Sequence, residues 1–371
     1  MNARRALAMA RKEVLHIRRD RRSLVLAFLI PPALILFFGF AITFDVKDIR
    51  LAIWDADRTQ TSARLVDAFT ASESFRVVED LQRYDDVTRV LQHGEALAVI
   101  AIPHGFAADL AAGGPAPLQL LLDGSDANTA TIALGYARGV VAAFSARAVL
   151  QGRELALPLQ AATRVWYNPS LESRNMVVPG LVAVITSILA AMLTALTIAR
   201  EWERGTMEQL VSTPVTRLEI IAGKLLPYLA IGLIDVVLAV LIGRALFGVP
   251  FRGSFLLLLV MTTAFLLAAL GFGMFLSATL KSQLLATQFA MVSTYLPALL
   301  LSGFIFAIEN MPRPLQVATY FFPARYYVTI TKGLFLKGVG PGTLWLEGLA
   351  LIGLATLAVG ATVAAFRKEV E

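Results

Sequence analysis

The 371-residue chain contains no cysteine, which excludes disulfides, zinc–thiolate sites, iron–sulfur clusters and thiol nucleophiles. Its three histidines, His16, His93 and His104, are too few and too scattered to suggest a metal site, and none is expected. Charge is scarce: 16% of residues are Asp, Glu, Lys or Arg, against about 25% in a soluble domain. A G-x-x-x-x-G-K-[ST] phosphate loop is missing. Gly223-Lys224 comes nearest, but Leu218 holds the first glycine's place and Leu225 the hydroxyl's. The chain is therefore not itself a P-loop ATPase, and no catalytic residues are expected in it.

What is present is apolar length. Hydrophobic residues make up 57% of the chain, concentrated in runs. Crossing a hydrocarbon core of about 30 Å takes about 20 residues of helix. Six stretches qualify: Ser23–Phe44, Val177–Ala199, Leu225–Leu246, Phe255–Leu280, Leu284–Ala307 and Leu344–Phe366. The first is basic in front and apolar behind, but it holds Pro31-Pro32 and has no clear small-x-small cleavage site. It reads as an uncleaved signal anchor. The predicted fold class is thus a polytopic α-helical membrane protein with six transmembrane helices.

Short-loop Lys and Arg set the orientation. With the N-terminus inside, residues 1–22 hold eight, 200–224 four, 281–283 one and 367–371 two, fifteen in all. The short outer loops 244–254 and 308–347 hold two and four, six in all. Both termini are therefore expected on the cytoplasmic side of a bacterial inner membrane. The net charge of +6 fits anchoring to anionic lipid better than nucleic-acid binding. Residues 1–22 alternate basic and apolar. Leu7, Val14, Leu15 and Ile17 would lie on lipid while Arg4, Arg5, Arg11, Lys12, Arg18 and Arg19 face phosphates. A simple topology anchor is the compatible plainer reading.

Residues 45–175 are different in character. Strand-like Leu51–Trp54, Phe75–Val78, Ala96–Ile102 and Leu118–Leu122 alternate with helical Ser62–Phe69 and Asp85–Gln92, and a long helix runs from Asn128 to Leu150. This pattern predicts an α/β extracytoplasmic domain between the first and second spans. Its Asp and His residues stand at turn positions and read as caps.

Transport against a gradient would need an energy source. Only Asp235 lies well inside a span, and Arg244 sits near an end where it can snorkel. Asp235 is either a substrate contact or a helix-interface hydrogen bond. With Glu309, Asn310 and Arg325 of the outer loop, it completes the candidate pathway or gate residues.

The second cytoplasmic loop, residues 200–224, carries a more specific signal. Glu201, Glu203, Arg204, Gly205, Thr206, Glu208, Leu210, Thr213 and Pro214 follow the pattern E-x-E-x-G-T-x-E-x-L-x-x-T-P. This closely resembles the cytoplasmic loop of type-two ABC export permeases. The stretches 301–312, 322–327 and 332–338 resemble the same family in the same order. The first span and outer domain resemble its Gram-negative drug- and antibiotic-efflux branch. The resemblance implies a coupling helix within 201–210 that docks on a separate ATPase. It implies a re-entrant outer loop over 303–336, with Tyr320, Phe321, Phe322, Tyr326 and Tyr327 as an aromatic belt or a gate. The implied partners are ABC ATPase subunits, a second permease subunit, a periplasmic membrane-fusion adaptor and the bilayer. ATP and Mg would sit on the ATPase, leaving no cofactor in this chain. Two rival readings are an ion-coupled secondary transporter using Asp235 and a membrane-anchored binding or sensor module centred on 45–175.

Overall fold

The computed structural model describes residues 2–42, 48–125, 127–149, 167–168 and 172–366. Of the expected outer domain 45–175, residues 45–47, 126, 150–166 and 169–171 lie outside them, as do the expected helix end at Leu150 and the C-terminal residues 367–371. The chain divides into two compact units, Met1–Thr43 with Arg164–Glu371, and Phe44–Thr163.

The first unit opens with α1 (Ala3–Arg19), N-capped by the Asn2 side chain, which accepts from Arg4 N–H. After Asp20 come α2 (Arg21–Leu24), a π-helical stretch Val25–Leu29 and α3 (Ile30–Ala41). The π stretch precedes Pro31-Pro32, whose missing N–H groups prevent regular α pairing there.

The second unit holds β1 (Ile49–Asp55), α4 (Gln60–Thr70), β2 (Phe75–Asp80) and α5 (Asp86–Gln92). It continues with β3 (Ala98–Ile102), α6 (Phe106–Ala111), β4 (Gln119–Leu122) and α7 (Ala127–Val149). The sheet order is β2-β1-β3-β4, with β2, β1 and β3 parallel and β4 antiparallel to β3. All five residues of β3 are buried, as expected of a central strand covered on both faces. Leu51, Ile53, Phe69, Ile100 and Ile102 form one core, which Ala133 and Ala137 of α7 join. Ala52, Leu81, Val90 and Val99 form the core on the opposite face.

Helix α6 was not expected from the sequence. It is six residues long and starts behind Gly105, which has φ +85°. The Asp57 carboxylate accepts the Gly105 and Ala107 N–H groups at 2.9 and 3.1 Å and so caps it from the end of β1.

The first unit resumes with α8 (Arg174–Glu203), α9 (Met207–Val211), α10 (Arg217–Ala245), α11 (Phe255–Leu280) and α12 (Gln283–Leu300). Then come α13 (Arg313–Thr319), α14 (Pro323–Lys332), a π-helical turn Gly333–Lys337 and α15 (Pro341–Ala365). Helix α8 is the hub of the bundle, buried over most of its length. Small residues let its neighbours approach closely. A Cβ on Gly273 of α11 would lie 2.2 Å from the Ala191 carbonyl oxygen, and one on Gly180 would lie 2.0 Å from the Phe304 ring. Ala191, Ala195 and Ala199 of α8 meet Ala286 and Ala290 of α12 in the same way.

Among the described residues, four helices are long and apolar enough to cross a membrane: α8, α10, α11 and α15. The expected first span is a shorter apolar helix, Val25–Ala41. The expected fifth ends at Leu300 rather than Ala307. Pro297 lies in its last turn, and residues 301–306 bend through Gly303 at φ +78°.

Candidate functional site

The 201–210 segment is not one helix. Glu201 and Glu203 belong to the last turn of α8, residues 204–206 form a turn, and α9 begins at Met207. The break comes at Gly205, whose φ of +68° ends α8 in the left-handed conformation. Its N–H donates to the Trp202 carbonyl at 3.1 Å. An added Cβ at Gly205 would meet nothing within 4 Å in this chain. The torsion angle, not crowding, accounts for glycine here.

Helix α9 lies along this end of the bundle. Met207 and Leu210 are buried, whereas Glu208 and Gln209 are exposed. Arg204, Gly205, Thr213 and Pro214 continue the exposed face on either side. The Thr213 hydroxyl donates to the Leu210 carbonyl at 2.6 Å and closes α9. Thr216 then restarts the chain as α10 in a reciprocal cap with Glu219.

The acidic residues serve two purposes. Glu203 is exposed and accepts the Gln283 backbone N–H at 2.7 Å and its side-chain amide, so it holds the first residue of α12. Glu201 is buried and central. It accepts the Thr206 hydroxyl, the Lys12 ammonium at 3.0 Å and the Lys224 ammonium at 3.3 Å. Lys224 reaches on to Glu13 at 3.0 Å, and Glu13 accepts the Tyr228 hydroxyl at 2.9 Å. Glu13, Glu201 and Lys224 are buried, and the half-exposed Lys12 brings the second positive charge to them, so the buried charges are paired.

This network attaches α1 to the bundle. Ala6, Ala10, Glu13 and Ile17 form its buried stripe. A Cβ on Gly223 would lie 2.5 Å from Met9 Cβ, so α1 and α10 touch at backbone distance. Glu219 accepts the Asn2 N–H at 2.5 Å, Arg5 donates to the Pro214 carbonyl at 2.5 Å, and Arg200 pairs with Asp20 at 3.0 Å. Ile17, expected on lipid, is buried in protein, while Leu7, Val14 and Leu15 are exposed. Glu13, His16 and Glu201 bring ligand atoms within 4.8 Å of one another. The ammonium groups of Lys224 and Lys12 already supply the counter-charge there, so the cluster is built as an ion network. Burial holds the His16 imidazole below its ordinary value and so favours the neutral ring beside Lys12.

Sequence reasoning missed Glu13, Lys12, Lys224 and Tyr228 as members of this site. The available signal was Lys224 near the start of an apolar run, where an unpaired charge is costly. There it counts only as a cytoplasmic-loop cation and as part of an incomplete phosphate loop.

The candidate pathway residues do not come together. Asp235 is buried in α10, and its Oδ1 has no hydrogen-bond partner among the described residues. The expected helix-interface hydrogen bond at that atom is not formed. It borders a cavity of about 10 Å³ with Pro31, Thr186, Tyr228 and Leu266, room for about one water molecule. Glu309 and Asn310 are exposed on a 3₁₀ turn, Ile308–Asn310. Arg325 stacks over Tyr320 at 3.7 Å and donates to the Gln316 carbonyl at 3.3 Å, which fixes α13 against α14. Lys332 donates to the Gly303 carbonyl at 2.8 Å.

Residues 21–366 match the family model described as ABC-2 family transporter protein. The chain is 36% identical over 361 residues to a probable multidrug ABC transporter permease, YbhS, of Escherichia coli, covering 97% of this chain and 96% of that one. It is 32% identical to a second, YbhR, over 99% of both chains. It is 23% identical over 360 residues to the linearmycin resistance permease protein LnrN of Bacillus subtilis.

Proposed function

Because the chain belongs to the ABC-2 family of transporter proteins, we propose that it is the membrane permease subunit of an ATP-driven exporter of drug-like, hydrophobic or amphipathic compounds. One observation carries the mechanistic part: the exposed α9 face stands on the buried network of Glu201, Lys224 and Glu13. A partner ATPase pressing on Arg204, Glu208 and Gln209 would move α9. Thr206 and Glu201 would pass that motion to α8, and Lys224 to α10. Hydrolysis, with its ATP and Mg, belongs to the partner, since this chain has no phosphate loop.

The same reading places two permease subunits side by side, homo- or heterodimeric, with the pathway between them. It assigns six spans, adding Val25–Ala41 and α12 to the four long helices. Helix α12 has 18 residues, which rise about 27 Å, and the bent segment 301–306 extends it. Both termini and α9 are assigned to the cytoplasm, and the α/β unit to the periplasm, where a membrane-fusion adaptor would meet it. The fifteen-to-six Lys/Arg asymmetry supports this orientation.

Two measurements test the reading. Tagged chain purified in mild detergent should bring an ABC ATPase with it, and the reconstituted assembly should couple ATP hydrolysis to export. Transport that persists without any ATPase, driven by an ion gradient, would replace it with a secondary transporter. Reporter fusions at Gly113 and Pro214 should report opposite sides of the membrane. The same side for both would end the six-span assignment.

A further inference from the structure

The ion network between α1 and the bundle leaves one titratable group over among the described residues. Glu13 and Glu201 carry two negative charges, and Lys12 and Lys224 two positive ones. Arg200 and Asp20 cancel likewise, and the Tyr228 hydroxyl donates to Glu13. Of these groups, Lys12 and Glu13 lie on α1, Arg200 and Glu201 on α8, and Lys224 and Tyr228 on α10. Helix α2 contributes the exposed Arg21. Glu219 and Arg5 act at the opposite end of α1, on Asn2 and Pro214. The group left over is His16. Its ring is half-buried, and ligand atoms of His16, Glu13 and Glu201 lie within 4.8 Å of one another.

With a neutral ring this cluster is balanced. A proton on His16 adds one positive charge, and the two carboxylates beside it already bond ammonium groups at 3.0 to 3.3 Å. Room to readjust is lacking, because α1 and α10 touch at backbone distance. A Cβ on Gly223 would lie 2.7 Å from the Ala6 carbonyl oxygen. Uncompensated charge at a buried contact is costly. It is relieved when Lys12, the half-exposed member, moves out to water, or when α1 leaves the bundle. Either movement breaks the link from α1 to Glu201 on α8.

We infer that α1 is a proton-operated clamp, gripping the bundle while His16 is neutral and loosening when His16 is protonated. The direction agrees with the ring's surroundings. A histidine in water takes up its proton near pH 6.5, about the ordinary value. In the clamped state burial holds His16 below that value, with Lys12 and Lys224 acting in the same sense against Glu13 and Glu201. Released α1 therefore binds the proton more tightly than clamped α1. The grip is fully present above about pH 6.5. It weakens by up to roughly tenfold for each unit below, as far as the lower, clamped value. The clamp needs neither an ATPase nor a second copy, so its test stands apart from the exporter reading.

Hydrogen exchange of the full chain in nanodiscs reads the grip at the amides of residues 10–17. Their protection, corrected for intrinsic exchange, should fall at least fivefold between pH 7.5 and pH 5.5. His16→Gln stays neutral and should hold within twofold over the same range. His16→Arg carries a permanent charge and should be loose at both values. If His16→Gln fails to fold, the wild-type ring carries the test by NMR, as one of three histidines in the chain. It should titrate below about 6.5. An equal loss of protection in wild type and His16→Gln overturns the inference. So does tighter protection in acid, a ring that titrates above that value, or His16→Arg as well protected as wild type at pH 7.5.

Discussion

The Lys224 ammonium lies 3.0 Å from the Glu13 carboxylate, joining positions 211 residues apart, and the two side chains are only 2% and 3% exposed. The contact spans α1 and α10, and Glu201 brings in α8. The end of the bundle that carries α9 is therefore held by charge as well as by apolar packing.

Lys224→Met should leave Glu13 buried without its ammonium partner. Breaking a buried ion pair from one side costs about 3–5 kcal/mol. Lys12 still pairs with Glu201, so the loss should fall at the low end. The unfolding midpoint in detergent reports it. Glu13→Gln combined with Lys224→Met should recover part of the loss, because the stranded charge is gone. An unchanged midpoint in Lys224→Met would show that the network does not hold these helices.

Gly205 separates backbone strain from contact with a partner. At φ +68°, Ala should cost roughly 1–2 kcal/mol of local strain and Asn less, since Asn tolerates the left-handed region. An added Cβ touches nothing in this chain, so all variants should insert. Gly205→Phe should lose substrate-stimulated ATP hydrolysis well beyond Gly205→Ala, because a bulky side chain on the exposed face separates the docking surfaces. Equal rates in Asn, Ala and Phe variants would remove Gly205 from the coupling surface.

Asp235 Oδ1 has no hydrogen-bond partner among the described residues, which leaves a buried polar atom unmatched by protein there. Asp235→Leu should raise stability by about 1–3 kcal/mol, measured as thermal unfolding in detergent. Asp235→Asn should retain most transport. Loss of transport with normal assembly would instead make Asp235 a substrate or proton site.

Asp57 gives the α/β unit an acid-sensitive joint. The Thr59 hydroxyl, and then the N–H groups of Ala107 and Gly105, hold its carboxyl below the ordinary carboxylate value. A depressed carboxylate contributes stability above its unfolded value of about 3.9, and that stability is lost as pH falls through the lower folded value. Limited proteolysis near Gly105 should therefore increase below about pH 4. Asp57→Asn should be cleaved at a rate that no longer changes with pH there. The same pH response in both proteins would rule out this cap as the cause.

The long helices were legible because hydropathy is a local sum. A run such as Phe255–Leu280 declares itself without reference to any other part of the chain. The strands were legible for a similar reason, since β3 is a continuous apolar run stopped by Pro103. The loop pattern from Glu201 to Pro214 identified the family, again from contiguous residues. Tertiary structure decided what those residues do. Glu201 and Glu203 are two positions apart, yet one is buried among lysines and the other caps α12, because successive helical positions point about 100° apart. Whether α1 lay on lipid or on protein depended on Lys224, more than two hundred residues away. The apolar groove bordered by Phe272 and Leu357 depended on six alanines drawn from four helices. Pairings at such separations leave no trace in a window of neighbouring residues; they appear only when burial forces each charge to find its counter-charge and each small side chain to face a neighbour or a void.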